Sequence, residues 1–277
     1  MLTFRAMNTD VSVIANDGHV GVAVAATFAE AERRFSRFDS ASELSQLNRA
    51  TEPMVVSAQM FDALQAARRY VELTDGIFDP AIGATLIALG YDKSFAPGEL
   101  DRDDDVPAPR AARFLDVELD ADRREVTRPR DLQIDLGGMI KGRTVDLAAA
   151  WLPANGAIDA GGDAVMRGAW NLEIEDPRDA TRTIAKLRVC DRAVATSAAN
   201  RRRWHVAGSE RHHIVDPRTQ RSAATDLLQV TVLAPTAELA DVIAKTVFVL
   251  GEQRGREFVA ARGVEAVMVR NDGSVVS

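Results

Sequence analysis

An α+β fold, a mainly antiparallel sheet core with flanking helices, is the class the sequence predicts, on three observations. Strand-like and helix-like stretches do not alternate regularly, which sets the chain apart from a doubly wound parallel sheet. The second half is mostly short strand-like runs joined by short turns, and short turns favour antiparallel pairing. Lastly, 277 residues, 46% of them hydrophobic, suffice to bury one large core or two closely joined lobes without staples. One domain over 1–277 is expected. No long linker or short-period repeat interrupts it, and a duplication of two strand–helix units is compatible with the pattern.

Residues 3–14 alternate as a strand would, and residues 20–38 carry Val24, Phe28, Ala31 and Phe35 at helical spacing. A short helix is predicted over 42–48, with Ser42 as N-cap and Ser45 and Asn48 on an exposed polar face. Phe61, Leu64, Ala67, Tyr70 and Val71 mark a longer helix over 57–74, stopped by Asp75-Gly76. A short apolar helix follows Asp79-Pro80 and runs to Leu89-Gly90, and the acidic, proline-containing residues 96–110 read as a solvent loop. Two short strands turn at 120–123 and lead through Leu132-Gln133-Ile134 to a strand-to-helix transition. There Gly137-Gly138 introduces a helix whose core face is Ile140, Val145, Leu147, Ala148 and Trp151. Strands are read over 157–159, 164–167, 171–175, 184–189, 203–206 and 228–234. A helix pair over 237–250 and 252–261 precedes a hairpin-like end at Asn271-Asp272-Gly273.

Composition narrows the function classes. A net charge of −7 argues against a duplex-binding surface, so no nucleic-acid partner is expected. The run Arg201-Arg202-Arg203, with Arg211, Arg218 and Arg221 after it, is either a solvated face or a place for an anionic ligand. The single cysteine, Cys190, excludes an internal disulfide and a thiolate-rich zinc site, and is read as a small buried apolar residue. The N-terminus lacks the pattern of a signal peptide, and no apolar stretch of about 20 residues is present to span a bilayer; a cytoplasmic location is expected.

Four constellations can carry chemistry. In the segment from Asp135 to Asp146, glycines let backbone approach a ligand, and amides at a helix start, with Lys141, favour an anion such as a diphosphate. A tight turn packed closely is the alternative. Its spacing fits neither a dinucleotide-binding glycine motif nor a P-loop. Next, Gly161-Gly162-Asp163 ends a strand, with Asp163 read as a turn former. The third places Thr196-Ser197 ahead of His212-His213-Ile214-Val215-Asp216-Pro217, small hydroxyls and a histidine near an acid, without the elbow of a serine hydrolase. His19 and His205 read as ordinary surface or strand residues. In the fourth, Asp241 and Lys245 lie four apart on one helical face: a surface ion pair, or a carboxylate for a hard cation such as Mg²⁺.

In their order these segments resemble the FAD:protein FMN transferase family, the ApbE-like flavin transferases. The likeness runs through Met7-Asn8-Thr9, Ser36-Arg37-Phe38 with residues 42–48, and Thr74-Asp75-Gly76-Ile77-Phe78-Asp79-Pro80. It continues through residues 135–146, Gly161-Gly162-Asp163, Thr196-Ser197 with residues 213–217, and Ala240-Asp241 ahead of Val249-Leu250-Gly251. The resemblance implies cleavage of FAD, the substrate, with Mg²⁺, release of AMP, and attachment of FMN through a phosphoester to a threonine or serine of an acceptor protein. It also implies that Met7, Phe38, Ile77, Phe78, Asp79, Asp135, Lys141 and Ile214 line the FAD site. Asp241 and the carbonyl of Gly138 would hold the metal, and His213 would be the general base.

Three positions depart from the family pattern. Asn8 and Ala198 stand where glycines are usual. Lys245 falls where a metal-ligating threonine is expected, and Thr246 would point about 100° away on an ideal helix. A protonated lysine cannot ligate a cation. FAD hydrolysis to FMN and AMP, or flavin binding without turnover, are therefore the alternative functions.

Overall fold

A computed structural model describes residues 1–93, 101–102, 113–201, 203–206 and 209–277. In chain order its elements are β1 (Leu2–Ala6), β2 (Thr9–Ile14), α1 (Gly18–Phe35), α2 (Glu43–Arg49), β3 (Met54–Val55), α3 (Ala58–Leu73), α4 (Gly83–Ala88) and β4 (Asp101–Arg102). After them come β5 (Glu118–Asp120), β6 (Glu125–Thr127), α5 (Ile140–Ala148), β7 (Ala157–Ala160), β8 (Asp163–Asp176), β9 (Asp179–Ala198), β10 (Arg203–Val206) and β11 (Ser209–His212). The chain ends with β12 (Val215–Asp216), β13 (Arg221–Ser222), β14 (Leu227–Ala234), α6 (Ala237–Leu250), α7 (Glu252–Ala260), β15 (Glu265–Arg270) and β16 (Val275–Val276). Two compact units result, one from 1–30, 139–201 and 224–277, the other from 31–138 and 202–223.

The first unit is built on an eight-stranded sheet in the order β1-β2-β7-β8-β9-β14-β15-β16, antiparallel at every pairing. The α+β class and antiparallel core are as the sequence implied. Val11, Val13, Val24, Phe28, Val145, Ala148 and Ile158 bury one apolar layer. Residues 3–14 are a hairpin rather than a single strand: Ala6 pairs with Thr9, and Met7 and Asn8 between them have φ of 49° and 60°. A two-residue hairpin turn needs positive φ, which asparagine tolerates better than most residues, so Asn8 serves where glycine was expected. The stretches 164–167 and 171–175 are one long strand, β8, interrupted by a bulge at Gly168, whose φ is 82°.

Several side chains lie elsewhere than expected. Leu147 and Trp151 are more than half exposed, because α5 turns its Ile140, Val145 and Ala148 face inward instead. Cys190 is an exposed free thiol on β9, since the strand alternation there points it away from Val189, which is fully buried.

The second unit carries α2, α3, α4 and three small groups of strands, β3-β6-β5, β11-β10-β4 and β12-β13. Ser42 caps α2 and Ser57 caps α3, each accepting from the amide three residues on, at 3.0 and 3.2 Å. Of the predicted solvent loop 96–110, Asp101 and Arg102 form β4 and the rest lies outside the described residues. Ser45 and Asn48 are buried, not exposed. The reason is visible at Asn48: its Oδ1 accepts from the Ile134 amide and its Nδ2 donates to the Ile134 carbonyl, both at 2.8 Å. Residues 132–136 join no ladder and belong to no helix. Their backbone groups are satisfied instead by Asn48, by the Pro80 carbonyl, which accepts from the Asp135 amide at 2.8 Å, and by the Gly83 amide, which donates to the Gln133 carbonyl at 3.0 Å.

Candidate functional site

Met7, Lys141 and Asp241 belong to the first unit, and Phe38, Ile77, Phe78, Asp79, Asp135, Gly138, His213 and Ile214 to the second. In the first unit, the β7–β8 turn is Gly161-Gly162, with φ of 61° and 97°, between the paired residues Ala160 and Asp163. A Cβ on Gly161 would come within 2.0 Å of Thr9 Oγ1, so the turn lies hard against the neighbouring β1–β2 hairpin. Helix α5 approaches the same turn. Its Lys141 donates to the Ala160 carbonyl at 2.8 Å and forms an ion pair with Asp163.

Local packing explains much of the Asp135 to Asp146 segment. A Cβ on Gly142 would come within 2.5 Å of the Ala237 carbonyl, so glycine is what permits α5 to touch the start of α6. Asp146 then caps α6, accepting from the Ala237 and Glu238 amides at 2.7 and 2.9 Å, and burial raises its pKa. Arg143 pairs with Glu238 at 3.2 Å. These contacts fix α6 against α5 and thereby set Asp241 near Lys141 and Asp163.

Asp163 is no mere turn former. It is 1% exposed, and its carboxyl is pushed up to about 7 by burial first and by the neighbouring Asp241 second, against the opposing pull of Lys141 and Lys245. Asp241 is also 1% exposed and pairs with the Lys245 ammonium one helical turn on. The carboxylate is buried and the ammonium, at 20% exposure, half-buried, so this is not the surface pair the sequence allowed. The first unit thus gathers two carboxylates and two ammonium groups around the Gly161-Gly162 turn. Thr246, the neighbouring hydroxyl, is fully buried, donates to the Val242 carbonyl at 2.8 Å and lies about 100° round the helix from position 245.

The implied magnesium can be tested against this donor set. One Asp241 oxygen accepts from Lys245, and an ammonium stands where a ligand is required. The other Asp241 oxygen is buried without a hydrogen-bond partner, so a magnesium ion would meet one open carboxylate oxygen and would need the Lys245 ammonium to move aside.

In the second unit, Arg37 pairs with Asp135 at 2.5 Å, lies 4.2 Å over the Phe38 ring and 4.7 Å over that of Tyr91, and donates to the Tyr91 carbonyl at 2.6 Å. Tyr91 in turn stacks on Trp204 with centroids 5.5 Å apart. Arg37 is a residue that the sequence left without a role; its place beside Phe38 was the available signal. Asp135 also accepts from the Gly137 amide at 2.6 Å. Asp79 accepts from the Ala81 and Phe114 amides at 2.8 and 3.1 Å, and burial raises its pKa. Both carboxylates therefore hold backbone in place, with lone pairs left for a ligand. Phe78 and Ile214 are buried, and Ile77 is half-buried.

The two adjacent histidines differ. His212 Nδ1 accepts from the Ile214 amide at 3.3 Å, which puts its proton on Nε2, facing the Ala223 carbonyl at 3.1 Å; burial lowers its pKa. It pins the loop. His213 sits half-buried at the bend that follows β11. The arginine run is partly neutralised, since Arg203 pairs with Glu210 at 2.9 Å and Arg218 with Asp216 at 2.8 Å; Arg202 lies outside the described residues.

Comparison with known proteins agrees with the order of motifs. The model of the ApbE family matches residues 7–268. The chain belongs to the ApbE family. The FAD:protein FMN transferase of Treponema pallidum is 31% identical over 272 residues, covering 87% of this chain and 73% of that protein. The Vibrio cholerae protein of the same name is 28% identical, covering 87% and 76%. Among solved structures, the ApbE protein of Thermotoga maritima superposes with a TM-score of 0.87 at 26% identity, over 99% of this chain and 95% of that one. The flavin transferase ApbE from Vibrio cholerae does so with a TM-score of 0.82 at 25% identity, over 99% and 94%. No helix among the described residues is long and apolar enough to cross a membrane.

Proposed function

We propose that this ApbE-family chain takes FAD as substrate and transfers its FMN part to a threonine or serine hydroxyl of an acceptor protein, releasing AMP. The observation that carries this reading is the likeness, along 87% of the chain, to proteins named FAD:protein FMN transferase. The acceptor oxygen attacks the phosphorus on the FMN side of the pyrophosphate. The bridging P–O bond breaks, its electron pair leaves with AMP, and the hydroxyl proton passes to the His213 imidazole. Lys141, held by Asp163 and the Ala160 carbonyl, is a fixed positive charge suited to the pyrophosphate. Phe38, Ile77, Phe78 and Ile214 offer apolar surface to the flavin, with Met7, while Asp79 and Asp135 offer acceptors to its polar edges. The sequence expectation of a cytoplasmic setting belongs to the same proposal, and an exposed free thiol at Cys190 suits a reducing compartment.

Incubation with FAD and a peptide bearing an acceptor threonine, followed by mass spectrometry, tests it. A peptide mass increase equal to FMN less one water, with one AMP released per peptide, is the expected result. Release of FMN and AMP without peptide labelling would indicate hydrolysis. Bound FAD with neither peptide nor water attacked would refute the transferase reading.

A further inference from the structure

The disagreement between the Asp241 donor set and the implied magnesium has a consequence for how this chain handles FAD. We propose that Lys245 is the resident cation of the Asp241 site, so that this chain binds FAD without a divalent metal ion. The inference rests on the flavin reading for its ligand, but its geometry stands apart from that reading. Asp241 and Lys245 are spaced i and i+4, with the acid nearer the helix N-terminus, the orientation in which such pairs are strongest. The helix around them is dry: Ala240, Val242, Ile243, Ala244, Val247 and Phe248 are all buried. In such surroundings a carboxylate requires a cation beside it, and Lys245 provides one covalently attached to the chain.

Charge balance points the same way. The Lys245 ammonium already neutralises the Asp241 carboxylate, and the Lys141 ammonium faces Asp163. A divalent ion entering this cluster would have to drive the Lys245 ammonium off Asp241 and would add positive charge where Lys245 already neutralises the carboxylate. A threonine at position 245 would reverse both conditions, freeing Asp241 and leaving its carboxylate without that ammonium. Thr246 does not substitute, because it is fully buried and lies about 100° round the helix from position 245.

The experiment has two arms on the full chain. In the first, Mn²⁺ alone is titrated and followed by electron paramagnetic resonance, without flavin. The wild type is expected to show no saturable site up to millimolar Mn²⁺, and Lys245→Thr to gain one site per chain that Asp241→Asn then removes. Circular dichroism confirms folding, and Lys245→Ser serves if the threonine variant does not fold. A stoichiometric Mn²⁺ site in the wild type that Asp241→Asn abolishes overturns the proposal, as does failure of both folded variants to gain one. In the second arm, FAD affinity is measured with a chelator and with Mg²⁺. The wild type is expected to stay within twofold across the two conditions, and Lys245→Thr to lose at least tenfold in chelator and recover with Mg²⁺. A tenfold fall for the wild type in chelator overturns the proposal. If no FAD binds under either condition, the flavin reading fails, while the Mn²⁺ arm still decides whether Lys245 holds the site.

Discussion

Substitution of Asn48 by alanine removes a clamp between α2 and the segment that leads to Asp135. The asparagine amide serves both backbone groups of Ile134, at 2.8 Å each, and both residues are buried. Leaving a buried donor or acceptor unsatisfied costs about 1–3 kcal/mol, so losing both partners costs about 2–6 kcal/mol. Against a total stability of about 5–15 kcal/mol this is a large fraction. Urea unfolding followed by circular dichroism should show the midpoint falling with the slope unchanged. Asn48→Asp is the informative control. It keeps an acceptor for the Ile134 amide but turns a carboxylate oxygen toward the Ile134 carbonyl, and should be at least as destabilising as alanine. FAD affinity should fall alongside, because Ile134 adjoins Asp135. An alanine variant within about 0.5 kcal/mol of wild type, the range of an ordinary surface change, would show that the clamp contributes nothing.

Other outcomes follow from the same geometry. For Asp163, the folded carboxyl titrates at about 7 against an ordinary value of 3.8, so the native state holds the extra proton between those values. Stability should therefore fall as pH rises from about 4 to about 7, by up to about 1.4 kcal/mol per pH unit, and Asp163→Asn should flatten that slope in urea titrations at stepped pH. Equal slopes in both proteins would count against the buried-acid reading. His213→Ala should lower FMN transfer by about 10²–10⁴-fold while FAD affinity changes little, whereas His212→Ala should lower stability; single-turnover assays with equilibrium binding separate the two. Gly161→Ala places a Cβ 2.0 Å from Thr9 Oγ1 at a φ of 61°, and should cost roughly 1–3 kcal/mol or more in thermal unfolding. Combining it with Thr9→Ala should recover only the steric share.

The local code was legible wherever a feature depends on neighbours in sequence. Ser42 and Ser57 cap helices as their positions indicate, Asp75-Gly76 ends α3 with φ of 52° and 75°, and α6 begins at Ala237 as its apolar period implies. The order of short motifs was also enough to name the family. What the sequence alone could not rank was burial of polar groups. Asn48 looked like solvent-facing helix surface, Asp163 like a turn residue, and Asp241 with Lys245 like an exposed pair, because the residue types are the same in either setting. Tertiary structure decided each of them by supplying partners from distant residues: Ile134 for Asn48, Lys141 for Asp163, and an apolar α6 packed on α5 around Asp241. Local propensity depends on the backbone of a few residues, whereas desolvation depends on what the rest of the chain brings near. A carboxylate's role follows from the second.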